Sequence, residues 1–290
     1  MTLSGLLIID KPVGPTSHDV VGRVRRVAGL RRVGHAGTLD PLASGVLLVC
    51  LGRATRLVEY LVGLDKVYET TVRLGQSTDT YDAEGEVTAE RPVMTTEADI
   101  LAALPAFRGA IRQRVPAYSA VKRDGRPLYK SARRGEHIEL PERDVVIHAL
   151  DLSVYDPPLL TLRVACSSGT YIRSLVHDLG QALGCGGHVV ALRRTAVGRF
   201  TVDEALALDD LAPDVAAARL LPLETIIAHL PRMEFDEAAT IELGFGRRVP
   251  ARESSPDGDA AAFGPDGRFL GIVAVEEGEW RPRKMMSETN

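Results

Sequence analysis

The sequence predicts an α+β protein built on a mostly antiparallel mixed sheet flanked by helices, with a small β-rich unit at the C-terminal end. Three observations carry this. Apolar/polar alternation of period two recurs along the chain, most clearly at 66–74. Strand-like segments outnumber the helical ones and do not alternate with them regularly, which argues against a doubly wound parallel sheet. After about residue 200 the composition shifts, and turn signals at Pro256-Asp257-Gly258 and Pro265-Asp266-Gly267 then break the text into short strands. The expected division is 1–230 and 231–290.

The elements follow in order. Residues 5–10 form a buried strand closed by Asp10-Lys11-Pro12-Val13-Gly14-Pro15, which cannot be helix interior. Thr16-Ser17 offers an N-cap for a helix over 18–28, with Val20, Val21, Val24 and Val27 on its apolar face and Gly29 at its end. A loop over 31–45 leads to a buried strand at 46–51. A helix containing Leu57, Tyr60 and Leu61 comes next, then the alternating strand 66–74. Residues 75–86 are polar and turn-prone, and 96–104 are helical. Residues 105–143 are basic and irregular, marked by Pro105, Pro116 and Pro127; so long a loop in a compact protein is usually functional or disordered. Strands at 145–155 and 160–167, a helix at 171–183, a glycine-rich turn at 184–187 and a strand at 188–194 complete the larger part. Ala- and Asp-rich helical text then runs to about 230, ahead of a short helix at 236–243 and two or three strands.

Bulk properties narrow the function. The chain has 290 residues, 45% of them hydrophobic, enough for a sizeable core, and no apolar run approaches the roughly 20 residues that span a bilayer. The apolar start is preceded by no basic region and reads as a strand, not a signal peptide. Three widely spaced cysteines, Cys50, Cys166 and Cys185, suggest neither a disulfide framework nor a zinc site, and imply a cytoplasmic location. The net charge of −4 conceals an asymmetry: residues 201–290 carry 9 Lys+Arg against 18 Asp+Glu, whereas 1–200 carry 26 against 21. Residues 108–143 hold 10 basic and 4 acidic side chains, and residues 20–39 five arginines and no acid. Such patches are either solvated faces or steering surfaces for an anionic partner.

The most informative segment is Arg31 to Val49. There a single carboxylate, Asp40, stands in a Gly/Pro-rich turn after two arginines and before an apolar run. Asp40-Pro41 is also a common helix start, so the spacing alone leaves an N-cap and a nucleophile both open. Gly34-His35-Ala36-Gly37 fits the GXXG clamp of a KH domain, a four-residue match of little weight. Arg173, at the start of a helix whose N-terminus is already positive, requires an anion, from the protein or from a phosphate. Arg193-Arg194 is open between a strand end and an RNA contact. No phosphate-binding loop, dinucleotide fingerprint, metal spacing or Gly-x-Ser-x-Gly elbow is present in the sequence.

Six segments taken together, and in order, resemble the TruB family of tRNA pseudouridine synthases. They are Lys11–Ser17, Gly34–Leu47, Lys66-Val67-Tyr68, Val115–Lys122, Gly169–Arg173 and Leu192–Thr195. The resemblance implies that uridine 55 in the tRNA T loop is converted to pseudouridine without metal or cofactor, the nucleotide being flipped from its stack. It implies Asp40 as nucleophile, Arg173 as the residue that pairs with and orients it, and Tyr68 as the group stacking on the base. His35 would fill the vacated loop, Tyr171 and Leu192 would line the pocket, and Lys11 would support the loop. Residues 105–143 look like the family's RNA-gripping insertion, with Arg114, Lys122, Arg123, Arg126, Lys130 and Arg133 as candidate backbone contacts. The implied partner is tRNA, with no membrane, no obligate protein partner and a monomeric state. An RNA-binding or RNA-folding protein in which catalysis is secondary, and a synthase guided by a separate RNA, are the alternatives. Ala117 stands where the family often has a second proline, and the tail resembles a PUA-type domain only in its length and its ending.

Overall fold

The longest run of backbone pairing is a ten-stranded sheet, seen in a computed structural model that describes residues 3–286 except Ala120, Asp124, Arg133, Gly135, His137, Ile138 and Glu253. It opens with β1 (Gly5–Lys11), whose apolar side chains are buried on both faces. Helix α1 (Ser17–Ala28) starts where the sequence places it: Thr16 and Asp19 form a reciprocal capping box, and Gly29 ends it at φ +63°. β2 (Val33–Ala36) pairs with β3 (Ala43–Leu51), which lies antiparallel to β1. The predicted helix after β3 is instead a 3-10 turn over 52–57 followed by one turn of α-helix, α2 (Glu59–Val62).

β4 (Lys66–Leu74) alternates buried and partly exposed residues along its whole length, as its sequence pattern requires. β5 (Gln76–Thr78) and β6 (Val87–Glu90) form a small hairpin whose loop carries Asp82, and α3 (Glu97–Ala103) follows behind a second capping box. The stretch 105–143, expected to be irregular, contains regular elements. β7 (Gly109–Arg114) is an edge strand of the main sheet, and β8 (Lys122–Arg123), β9 (Arg126–Pro127) and α4 (Leu128–Ala132) make a short excursion. β7 escapes sequence reading because it buries only Gln113 fully and so lacks a clear apolar alternation.

β10 (Glu142–Asp156), β11 (Leu159–Cys166), α5 (Ile172–Ala182) and β12 (Gly187–Val197) complete the centre. β13 (Phe200–Thr201) pairs with β12, and β14 (Leu206–Ala207) lies parallel to β1. The strand order is β14-β1-β3-β12-β4-β11-β10-β7. Only β1 with β14 and β3 with β12 are parallel, so the sheet is mixed and mainly antiparallel as predicted. The helical text expected up to residue 230 reduces to α6 (Pro213–Ala218) and short 3-10 turns, because Pro213 and Pro222 interrupt it and Leu206 is drawn into sheet pairing with Ile9.

The second sheet has five strands: β15 (Arg232–Glu234), β17 (Asp259–Phe263), β18 (Phe269–Glu276), β19 (Glu279–Met285) and β16 (Val249–Pro250), with α7 (Glu237–Gly244) packed beside them. One apolar cluster joins the two sheets: Leu6, Ile8, Leu48 and Phe200 of the first share it with Phe263, Phe269 and Ile272 of the second and with Met286 just after it. No helix among the described residues is long and apolar enough to cross a membrane.

Candidate active site

β3 and β12 run parallel, in a register that sets Ala43 beside Leu192 and Gly45 beside Arg194. The approach is close. A Cβ on Gly45 would lie 2.1 Å from the Arg194 carbonyl oxygen, and its φ of +103° suits glycine alone. This pairing brings the end of the 37–42 loop against β12. Tyr68 of β4 faces Arg194 across the other edge of β12.

The loop itself is tied from beneath. Arg194 is buried and donates through Nε to the Val46 carbonyl (2.8 Å) and through Nη2 to that of Gly37 (3.1 Å). The question of strand end or RNA contact is thereby answered for Arg194: its donors are spent on the fold. Ser17 Oγ brackets Leu39, donating to its carbonyl (3.0 Å) and accepting from its N–H (2.8 Å). Lys11, also buried, donates to the carbonyls of Pro12 and Pro15 at 2.8 Å and of Pro41 at 3.4 Å. Burial pulls its pKa down to about 8, against the pull of Asp40 and Glu84.

Asp40 does not cap a helix. Residues 41–42 turn directly into β3, and the Ala43 N–H donates to the Asp40 carbonyl at 3.0 Å. Its side chain is met by Arg173 instead: Nη2 lies 3.0 Å from Asp40 Oδ2, and Nη1 lies 3.1 Å from Asp82 Oδ2. The same two nitrogens donate to the carbonyls of Tyr118 and Thr80, both at 2.9 Å. The anion that Arg173's place in the sequence requires is thus two anions. The helix start is fixed by Gln113, whose side-chain amide accepts from the Tyr171 N–H (3.0 Å) and donates to its carbonyl (3.2 Å).

Above this network is a cavity of about 430 Å³, lined among others by Asp40, Tyr68, Tyr171, Arg173 and Leu192. That volume falls within the range of small-molecule sites, roughly 300–1,000 Å³. Burial raises the pKa of the Tyr68 and Tyr171 phenols, so both remain neutral donors in the ordinary pH range. Two residues of the expected site are not on the cavity wall. Lys11 lies under the loop, and His35 sits on β2, its pKa lowered by burial and by the charge of Arg194. Asp82, Lys66, Ser119 and Arg143 belong to the network or the wall, and nothing in the sequence marks them individually; Arg194, open in the sequence between strand end and RNA contact, joins them. Lys66 Nζ donates to the carbonyls of Val62 and Leu64, and burial lowers its pKa to about 8. Of the expected backbone contacts, Arg114, Arg126 and Lys130 are exposed; Arg133 and the side chains of Lys122 and Arg123 lie outside the described residues. Among the described residues no group of His, Cys, Asp and Glu side chains could hold a metal ion.

The chain is similar to known proteins over nearly its whole length. The TruB family pseudouridylate synthase N-terminal domain matches residues 25–172. Two C-terminal domain families, those of tRNA pseudouridylate synthase B and of tRNA pseudouridine synthase II, match 173–228 and 230–284. A protein named tRNA pseudouridine synthase B from Thermobifida fusca (strain YX) is 48% identical over 289 residues, covering 96% of this chain and 97% of its own. One of the same name from Ralstonia pickettii (strain 12J) is 44% identical over 298 residues, covering 97% and 94%. Among solved structures, a Cbf5-Nop10-Gar1 complex contains a chain 27% identical with a TM-score of 0.75, over 98% of this chain and 84% of that one. The H/ACA RNP bound to a substrate RNA containing 2'-deoxyuridine has the same fold at 24% identity and the same TM-score, over 99% and 86%. Fold and relatives define the class: this is an isomerase, a pseudouridine synthase. The chain belongs to the TruB family of pseudouridylate synthases.

Proposed function

We propose that the protein converts uridine 55 in the T loop of tRNA to pseudouridine, with Asp40 as the nucleophile. The observation that carries this reading is the placement of Asp40: anchored by Arg173 at 3.0 Å, yet with 38% of its side chain still exposed at the cavity. A carboxylate already oriented loses little freedom when a substrate arrives, which favours reaction. The uridine enters flipped, because its reacting atoms are inaccessible in a stacked loop.

The isomerisation conserves all atoms. The bond from ribose C1′ to N1 breaks, the uracil turns, and C5 bonds to C1′; the proton leaves C5 and N1 gains one. Asp40 supplies the anion that starts the exchange, whether at uracil or at ribose. Tyr68 and Tyr171 give the base apolar surfaces against which to be held. The exposed Arg114, Arg126 and Lys130 support phosphate contact along the 105–143 segment, and the relatives' shared name supports tRNA as the substrate.

Incubating the purified protein with an unmodified tRNA transcript and mapping pseudouridine chemically tests the reading. A single modified site in the T loop is expected, and Asp40→Ala should abolish it while preserving binding. Binding should also weaken with salt. A second reading is guidance by a separate RNA. Modification of the bare transcript excludes that reading; modification only after a guide RNA is added excludes the first. Retained tRNA refolding by the Asp40→Ala protein would show an RNA-folding activity separable from the chemistry.

A further inference from the structure

The cations along the cavity wall are not equivalent. Arg173 is engaged by Asp40 and Asp82, Arg194 by the carbonyls of the loop, and Lys66 by two carbonyls of the α2 turn. Arg143, on β10 opposite Gln113 of β7, also lines the cavity. Its neighbours Glu142 and Asp144 are paired with Arg112 instead. Among the described residues no carboxylate or carbonyl accepts from the Arg143 side chain. Its one described aromatic contact is the Tyr171 ring, whose centroid lies 5.9 Å from the guanidinium carbon. Gly169 makes room for it: at φ +83° it has no side chain, and a Cβ there would stand 3.1 Å from Arg143 Nη1.

A guanidinium beside a ring and a glycine, with no carboxylate or carbonyl among the described residues accepting from it, is prepared for a ligand. The chemistry of that ligand follows from the cavity. A flipped uridine brings a neutral base and two anionic phosphates. Asp40 repels those phosphates, and the wall's other cations are already committed. We infer that Arg143 clamps a phosphate flanking the flipped nucleotide, with Tyr171 acting both as wall to the base and as platform for the clamp. This rests on the proposed RNA uridine substrate. A planar fork suits two oxygens of one phosphate better than a point charge does.

The test uses a T-arm stem-loop RNA in three forms: unaltered, and with a neutral methylphosphonate at the phosphate on the 5′ or the 3′ side of the target uridine. Binding is measured against salt for the wild-type protein, Arg143→Gln and Arg143→Lys, each checked for an unchanged unfolding midpoint. Arg143→Gln should weaken binding of the unaltered RNA by roughly tenfold, the scale of one charge-assisted contact. It should also reduce the slope of log affinity against log salt by about one. One of the methylphosphonates should weaken the wild-type protein by a similar factor and leave Arg143→Gln unaffected, with Arg143→Lys between them. Equal methylphosphonate losses in wild type and Arg143→Gln, or an unchanged salt slope, would overturn the clamp while leaving the proposed reaction standing. A wild-type protein that forms no pseudouridine in the unaltered RNA would instead remove the reaction, and the clamp with it.

Discussion

Asp40 and Asp82 share one guanidinium and differ in what remains of them. Arg173 reaches each at about the same distance, 3.0 and 3.1 Å, but the Asp82 side chain is 4% exposed and that of Asp40 38%. Two carboxylates on one cation leave a negative charge in excess, and the geometry places its open face on Asp40, toward the cavity. The two acids therefore fail differently when altered.

Arg173→Lys keeps the charge and loses the arrangement. A single ammonium cannot span both carboxylates and the carbonyls of Thr80 and Tyr118. Turnover should fall by roughly a hundredfold, the scale of an ångström's misplacement, with a smaller change in RNA affinity. Single-turnover kinetics measure it, and an unchanged rate constant would remove Arg173 from the positioning of Asp40.

Asp82→Ala should destabilise as well as inactivate. It strips a buried cation of its most buried partner and also removes acceptors for Thr80 Oγ1 and the Glu84 N–H. A loss on the order of 3 kcal/mol in urea unfolding is expected. Asp40→Asn, at the more exposed position, should abolish turnover with little loss of stability, and similar stability losses in the two variants would contradict this division of labour.

Gly45→Ala tests the contact between β3 and β12. The added methyl would meet the Arg194 backbone in a conformation that only glycine holds easily. About 3 kcal/mol or more of stability should be lost, measurable by chemical denaturation. Gly34→Ala is the control, since nothing lies within 4 Å of its Cβ position; it should shift stability by less than about 0.5 kcal/mol.

Lys66 predicts a pH dependence of stability. Burial lowers its pKa from 10.5 to about 8. Below pH 8 the folded and unfolded chains are both protonated, and the cost of the buried charge stands in full. Between about 8 and 10.5 the folded chain has released the proton and the unfolded chain has not, so stability rises with pH across that window. Lys66→Met removes this contribution. The difference in unfolding free energy between wild type and Lys66→Met should climb from pH 8 to 10.5 in favour of the wild type, and a flat difference would show that the lysine titrates normally.

What the sequence discloses depends on how local the cause is. The strand 66–74 is visible because alternation is local, and α1 because its capping box and terminal glycine lie within its own text. Asp40 and Arg173 are individually conspicuous, one by its turn and the other by an unfavourable helix position, and the structure joins them. Asp82 is not conspicuous. It sits in an ordinary acidic loop, and its importance comes wholly from a guanidinium on a distant helix. Arg194 announces a charge but not its burial, which follows from a parallel pairing that no local pattern encodes. β7 is not visible in the sequence because an edge strand with polar sides needs no apolar rhythm.

The cluster that joins Leu6, Ile8 and Leu48 to Phe263, Phe269 and Ile272 makes the C-terminal sheet a cover for the back of the strands that carry the Asp40 loop. A chain cut at residue 230 would present this greasy surface to water and to its own copies. Such a fragment should collect in inclusion bodies: the inner face of the small sheet is part of what keeps the strands behind the Asp40 loop away from water.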